Sequence, residues 1–468
     1  MSSFAEHGKV KSGPDLDQTT PLIPASDRLD NNAPWPSSTD VSPWRILGGS
    51  PDDILSEEAL DGSWYLQLRP VNGNATERLC GPLRIQRASG DVADRFGAFV
   101  VSGDLYSHDR AIETFPEPIT EYRLDVGRNW YPQAPWSDYR GHLKTKKDTS
   151  ATYDSGNLRF AIAYYTWDRN WYSNYLEPAQ GHFIITCERQ VVTHSSLPQP
   201  TLRLTGEAEI GETRYGLIAT KTSPFYRGCH VEVDVMRDRY WIAGAYRHDG
   251  SWESFTGVFR RTGFDILLAV SETDILRAEE LSRDQLGEYL KAYREFKPDG
   301  RSWRLWMLVA SRLDEIPGDT EEPWFGIMFD KKVSSASWRN GVAVFYDPLI
   351  LGKNEEHPLV PGLEDKRLGD VDVAFLRTAL HEAGHAFSLM HPVDDFWVEA
   401  GRTIMNRTGD VKKEATAEHP FPHNIEFAFD PQHALFLIHS PDPKVAPGWS
   451  RGYQSDASWP EYTLKKET

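Results

Sequence analysis

The chain has 468 residues, with 51 basic against 69 acidic side chains, a formal net charge of −18 and a pI of about 5.3. That length exceeds one ordinary domain and suffices for two or three with sizeable cores. The acidic balance excludes a non-specific nucleic-acid binder, which needs a basic footprint, and the lack of any apolar run of about 18 or more residues excludes a helical membrane span.

Residues 1–50 are polar and interrupted by Pro14, Pro21, Pro24, Pro34, Pro36 and Pro43. This composition reads as an extended or disordered lead segment. The sharper alternative is a binding or targeting arm anchored by Trp35 and Trp44. No apolar stretch of signal-peptide type opens the chain, so the expected location is cytoplasmic, or outside the cell by a leaderless route. Cys80, Cys187 and Cys229 are too few for a disulfide framework and odd in number, which suits a reducing compartment.

Residues 51–227 read as an all-β, sandwich-like domain. Ser63–Leu68, Ala98–Tyr106, Leu158–Thr166, His182–Cys187 and Thr201–Glu207 are short strand-like runs separated by Gly, Pro, Asn and Asp. Repeated short strands with turn signals point to a sandwich or barrel. A short internal echo, Asn129-Trp130-Tyr131-Pro132 against Asn170-Trp171-Tyr172-Ser173, falls inside this region. Trp130, Trp136, Trp167 and Trp171 form either a core and its rim or a stacking platform, which would give the β-rich domain a glycan or protein partner.

From residue 228 strand and helix alternate. His230–Met236, Phe264–Val270, Trp303–Ala310, Trp324–Phe329 and Val342–Tyr346 are expected strands. Ser251–Arg261 and Ser282–Phe296 are expected helices, the second carrying Leu286, Tyr289, Leu290 and Tyr293 on one face. Further on, Val373, Leu376, Leu380, Ala383 and Phe387 recur at three- and four-residue steps, predicting a helix over about 370–389.

That helix carries His381-Glu382-Ala383-Gly384-His385 and leads to His391. Residues four apart share a helix face, so His381 and His385 can aim ring nitrogens at one point, as zinc ligation requires. Glu382 projects about 100° away from His381, beside that point, where a carboxylate can take a proton from water. In a continued helix His391 would lie about 240° from His385. It joins the pair only if the helix ends first, and Pro392 just beyond it favours such a break. Asp394, Asp395 and Glu399 are rival third ligands.

The spacing H-E-x-x-H-x-x-x-x-x-H resembles that of the metzincin clan of zinc metallopeptidases, whose motif has glycine at its eighth position and a methionine turn downstream. Here the eighth position is Ser388, a departure, and Thr403-Ile404-Met405-Asn406 is the candidate turn, with Met405 as an apolar floor rather than a ligand. The clan's tyrosine two residues after the methionine is Arg407 here, so no such role carries over. The resemblance covers about 228–445. It implies an α+β protein: the β-rich domain, then a metzincin-like catalytic domain with a twisted mixed sheet and a zinc-binding helix, then a tail over 446–468. It implies one catalytic Zn²⁺ on His381, His385 and His391, Glu382 as general base, and a peptide or protein substrate that pairs with an antiparallel edge strand near Gly326–Met328 or Gly341–Val344. Phe421–Phe427 is either the wall of the pocket beyond the scissile bond or a plain connecting loop, and His423 is not expected to ligate. Asp430–His439 is expected to close the domain as a helix. Arg78-Leu79-Cys80-Gly81 loosely resembles the cysteine-switch segment of latent matrix metalloproteases, against the plainer reading of a small buried cysteine. The alternative function is a protease-like zinc protein that binds or builds through its β-rich domain.

Overall fold

The computed structural model describes residues 60–447 except 73–77, 91–92, 94–97, 109–138, 146–151, 155–156, 168–175, 193–200, 211–212, 272–274, 296–302, 315–323, 330–338, 340, 351–357 and 393–400. The lead segment with Trp35 and Trp44 therefore lies outside the described residues. So do Trp130, Trp136, Trp171, the side chain of Trp167, the rival ligands Asp394, Asp395 and Glu399, and the tail beyond residue 447.

Period-two alternation builds the first half. In β1 (Gly62–Asn72), Trp64, Leu66 and Leu68 enter one core. The strands β2 (Arg78–Arg87), β3 (Phe99–His108), β4 (Tyr139–Thr145), β5 (Thr152–Asp154), β6 (Asn157–Trp167), β7 (Leu176–Val192), β8 (Thr201–Ile210) and β9 (Thr213–Ser223) follow. All pair antiparallel in the order β4-β3-β2-β1-β9-β8-β7-β6-β5, and β4 also pairs with β6. That last pairing joins the two ends of the row, with β5 as a short addition beside it on β6.

The sandwich-like expectation is thus corrected: one sheet rolls into a barrel in place of two facing each other. The reason is that closure rests on the β1–β9 and β4–β6 pairings, which join residues far apart in the chain, while alternation reports only which residues face inward. Register shifts in β1–β9, β3–β4 and β6–β7 supply the local bends. The interior is filled by side chains such as Trp64, Phe99, Leu143, Phe160 and Leu217, and rolling up leaves few open edges.

The second half is a five-stranded sheet ordered β13-β10-β14-β16-β15. Its strands are β10 (Arg227–Val235), β13 (Phe264–Val270), β14 (Arg304–Ala310), β15 (Gly326–Phe329) and β16 (Gly341–Phe345), with the hairpin β11 (Gly244–Tyr246) and β12 (Trp252–Ser254) inserted. All neighbours are parallel except β15, which runs antiparallel to β16 at the edge. Of the two stretches considered for the edge, Gly326–Met328 occupies it and Gly341–Val344 is internal. The protein is therefore mixed, broadly α+β.

Helices cover both faces of this sheet. On one face lie α1 (Phe255–Arg261) and α3 (Asp372–Ala386), packed on Val231, Val233, Met307, Val309 and Val344. On the other lies α2 (Arg283–Tyr293), whose Leu286 and Leu290 meet Trp306, Leu308 and Phe345. Ser282 and Gln285 close a capping box at the start of α2. The expected helix over Ser251–Arg261 is shorter than predicted. Trp252–Ser254 pairs into β12, and the Ser254 side chain then caps α1 by accepting from the Gly257 N–H.

After α3 come α4 (Thr408–Lys413), α5 (Pro431–His439) and α6 (Asp442–Val445). Asp430 and Pro431 open α5 as the sequence predicts. The described residues fall in one compact unit, and α5 and α6 meet the barrel through a buried polar layer. Asp442 accepts from Arg84 at 2.6 Å and from Arg227 at 2.8 Å, and Arg84 also bridges to Asp104. No helix among the described residues is long and apolar enough to cross a membrane.

Candidate metal centre

The helix α3 is buried on almost every side from Ala374 to Ala386, which is why its sequence is apolar around most of its circumference. Polar side chains within such a helix need partners. His381 Nδ1 lies 2.8 Å from the Ile404 carbonyl and His385 Nδ1 lies 2.8 Å from the Leu389 carbonyl. Each Nδ1 thus donates, which fixes the tautomer and leaves Nε2 with its lone pair exposed to the site.

The helix stops where His391 requires it to. The Ser388 N–H donates to the His385 carbonyl at 2.9 Å and the Leu389 N–H to the Gly384 carbonyl at 3.0 Å. This is the Schellman closure, whose hinge residue must be left-handed and is most often glycine. Ser388 takes that conformation, with φ 67°. The departure at the motif's eighth position therefore leaves the turn geometry intact. The chain doubles back, and His391 arrives beside the other two rings.

The three Nε2 atoms are 3.0, 3.2 and 3.2 Å apart. Two ligands about 2.0–2.1 Å from a tetrahedral zinc would be separated by about 3.3–3.4 Å. The spacing and the all-imidazole donor set therefore fit such an ion, and the trio is the group among the described residues able to hold one. Burial holds both helix histidines in the neutral form that ligation needs. It pushes His385 down to about 3, with a contribution from His391, and His381 well below the ordinary histidine range. Arg407 Nε lies 3.4 Å from His391 Nδ1, a long contact.

Glu382 is buried beside the trio. Burial pushes its carboxyl up to about 8, while Arg377 and the Met328 N–H, which donates to it, pull the other way. A dication alongside would favour the charged carboxylate further. The edge strand crosses close by: a Cβ on Gly326 would lie 2.6 Å from Glu382 Cγ, so only glycine lets the strand approach this carboxylate. Met405 is fully buried, and a Cβ on Gly384 would sit 2.3 Å from its sulfur. The candidate methionine turn thus packs directly under the helix between the two histidines. Its neighbour Ile404 supplies the carbonyl that orients His381.

Sequence reasoning missed Arg377, Arg339 and the Met328 N–H. Arg377 is buried, donates to the Asn406 carbonyl and to Thr408 Oγ1, and so ties the turn to α3. Its signal was available: it lies one turn before His381 on a helix with little room for charge. Arg339 and Met328 are placed by tertiary structure alone. The cysteine-switch segment lies within β2, where Cys80 is buried opposite Gln67 and Tyr106.

No protein-family model matches the chain, and no curated protein or solved structure does either.

Proposed function

We propose that the protein is a zinc-dependent endopeptidase whose residues 228–445 form a metzincin-like catalytic module. The observation that carries this reading is the convergence of the His381, His385 and His391 Nε2 atoms to within 3.2 Å, with a buried glutamate beside them. A zinc ion held by His381, His385 and His391 would supply a Lewis acid for the peptide carbonyl and would lower the pKa of the attacking water. Glu382 accepts that water's proton and passes it to the leaving amine.

An extended substrate would add to the outer edge of β15 as a further antiparallel strand. The approach of Gly326 to Glu382 would register the scissile carbonyl against the base. The loop Phe421–Phe427 is read as the wall of the pocket beyond the scissile bond. The Lys412 ammonium lies over the rings of Phe325 and Phe421, at 5.3 and 5.9 Å, and so links that loop to the start of β15. The test is digestion of a mixed peptide library by the wild type, by E382A and by the chelated wild type. Cuts made only by the untreated wild type support the peptidase. Stoichiometric zinc without any cutting would favour a protease-like scaffold that acts through its barrel.

A further inference from the structure

His381 and His385 are held by the helix that bears them. His391 is not: it is half-buried and three residues beyond the turn at Ser388, so the turn's dihedral angles decide where its ring falls. What holds the turn leads away from the histidines. The buried Ser388 hydroxyl donates to the Lys444 carbonyl at 2.5 Å. Arg339, fully buried, donates through Nη2 to the same carbonyl at 3.0 Å and through Nη1 to the Ala386 carbonyl at 2.6 Å, at the end of α3.

Two residues before Lys444, Asp442 is fully buried against the barrel wall. Its carboxylate accepts from Arg84 of β2 at 2.6 Å and from the Tyr106 hydroxyl of β3 at 2.9 Å. The short helix α6 is thus gripped at both ends. Its side-chain carboxylate is fastened to the barrel, and its backbone carbonyl is fastened to the turn that aims His391. Buried hydrogen bonds to charged groups are strong and directional, so displacement at one end is felt at the other.

We propose that α6 is a strut through which the barrel positions the third histidine, with Ser388 as the positioning residue at one end and Tyr106 at the other. The proposal rests on the reading of His391 as a metal ligand. It gives the serine a role of its own: glycine would adopt the turn more readily but could not bond to the strut.

The test is a double-mutant cycle on the full-length zinc-loaded protein, reading zinc release to a chromogenic chelator and the visible spectrum of the cobalt-substituted form. Y106F removes the barrel's hydroxyl from Asp442 and leaves both arginines. Y106F and S388G should each release zinc about fivefold faster than wild type, the effect of about one buried hydrogen bond. The double variant should release it no faster than the faster single variant, because both changes cut one path. Should Y106F not fold, R84K takes its place, keeping the charge while changing the fork that reaches Asp442. An S388G protein that holds zinc as tightly as wild type would overturn the proposal, since serine would then serve only as a poor glycine. So would a barrel variant that releases zinc at the wild-type rate. Wild type taking up no zinc, or losing none of its uptake in H391A, would overturn the metal-centre reading itself and the proposal with it.

Discussion

Glu382 and the glycine facing it make the sharpest claims at the level of single residues. In E382Q the carboxylate oxygens become an amide of the same shape that cannot take a proton. On the proposed reading of the site, peptide cleavage should fall by about 10²–10⁴-fold, the usual worth of a general base, with zinc uptake equal to that of the wild type by metal analysis. Gly326→Ala acts on the same group from outside. Its added methyl would lie 2.6 Å from Glu382 Cγ and must push the side chain aside. The expected result is a lower kcat with zinc affinity unchanged, measured by steady-state kinetics beside a chelator competition. Equal loss of both would mean that the strand, rather than the base, had moved.

Among the elements, α3 and the turn beneath it depend on one close contact. Gly384 faces Met405 so closely that a methyl there would meet the sulfur at 2.3 Å. Met405 is fully buried. Gly384→Ala should therefore cost about 1–3 kcal/mol by overpacking, read from urea unfolding of the metal-free protein. Helix propensity predicts the opposite sign, since alanine favours a helix interior over glycine by about 1 kcal/mol. The measured sign thus decides whether packing against the turn or backbone entropy dominates at this position. The apolar periodicity of α3 was legible in the sequence, as were its end near Ser388 and the start of α5 at Asp430 and Pro431. Local rules govern each of these: a repeat of 3.6 residues, a proline just beyond the break, and a proline in the first turn.

For the whole molecule, the layer between the barrel and α5–α6 decides the response to mutation and to pH. Arg84 is fully buried between Asp104 and Asp442. Arg84→Met leaves two buried carboxylates facing one remaining arginine, Arg227, and should destabilise the protein by about 3–5 kcal/mol. Because that layer lies between the two sheets, urea should unfold both in a single transition in wild type. The same layer encloses His142 and His439, both held below the usual histidine value of 6.5 foremost by burial, His439 also by Arg84 and Arg227. The sign follows from that direction. Well above pH 6.5 both rings are neutral whether the chain is folded or unfolded. As pH falls below 6.5 the unfolded rings take up protons that the folded rings refuse, so their contribution to stability is lost, while Asp442, pushed up to about 7 by burial and by Asp104, works in the opposite direction over the same range. Each such group contributes a slope of up to about 1.4 kcal/mol per pH unit. H439Q should make the stability profile between pH 6.5 and 5 shallower by about one such group, measured by urea unfolding at fixed pH. An unchanged slope would show that His439 protonates readily in place.

The zinc-type histidine pattern, the neighbouring glutamate and the candidate methionine turn are written in contiguous stretches, and their chemistry depends on spacing along a helix. They could therefore be read without a fold, as could the two-residue alternation of the barrel strands and the apolar runs of the inner sheet. The barrel itself could not, because β1–β9 and β4–β6 are pairings between distant residues, and a strand's alternation is the same in a sandwich and in a barrel. Nor could the choice of β15 as the antiparallel edge, since strand order is settled by which hydrogen-bonding edges remain free after the others have paired. The left-handed Ser388 was legible as a difficulty but not as a solution. Its partner is a backbone carbonyl 56 positions away, and a carbonyl carries no side-chain signature in sequence. Chemistry that resides in side-chain spacing was set by the chain alone, whereas the groups that hold the site in place are backbone atoms and buried charges that only tertiary packing brings together.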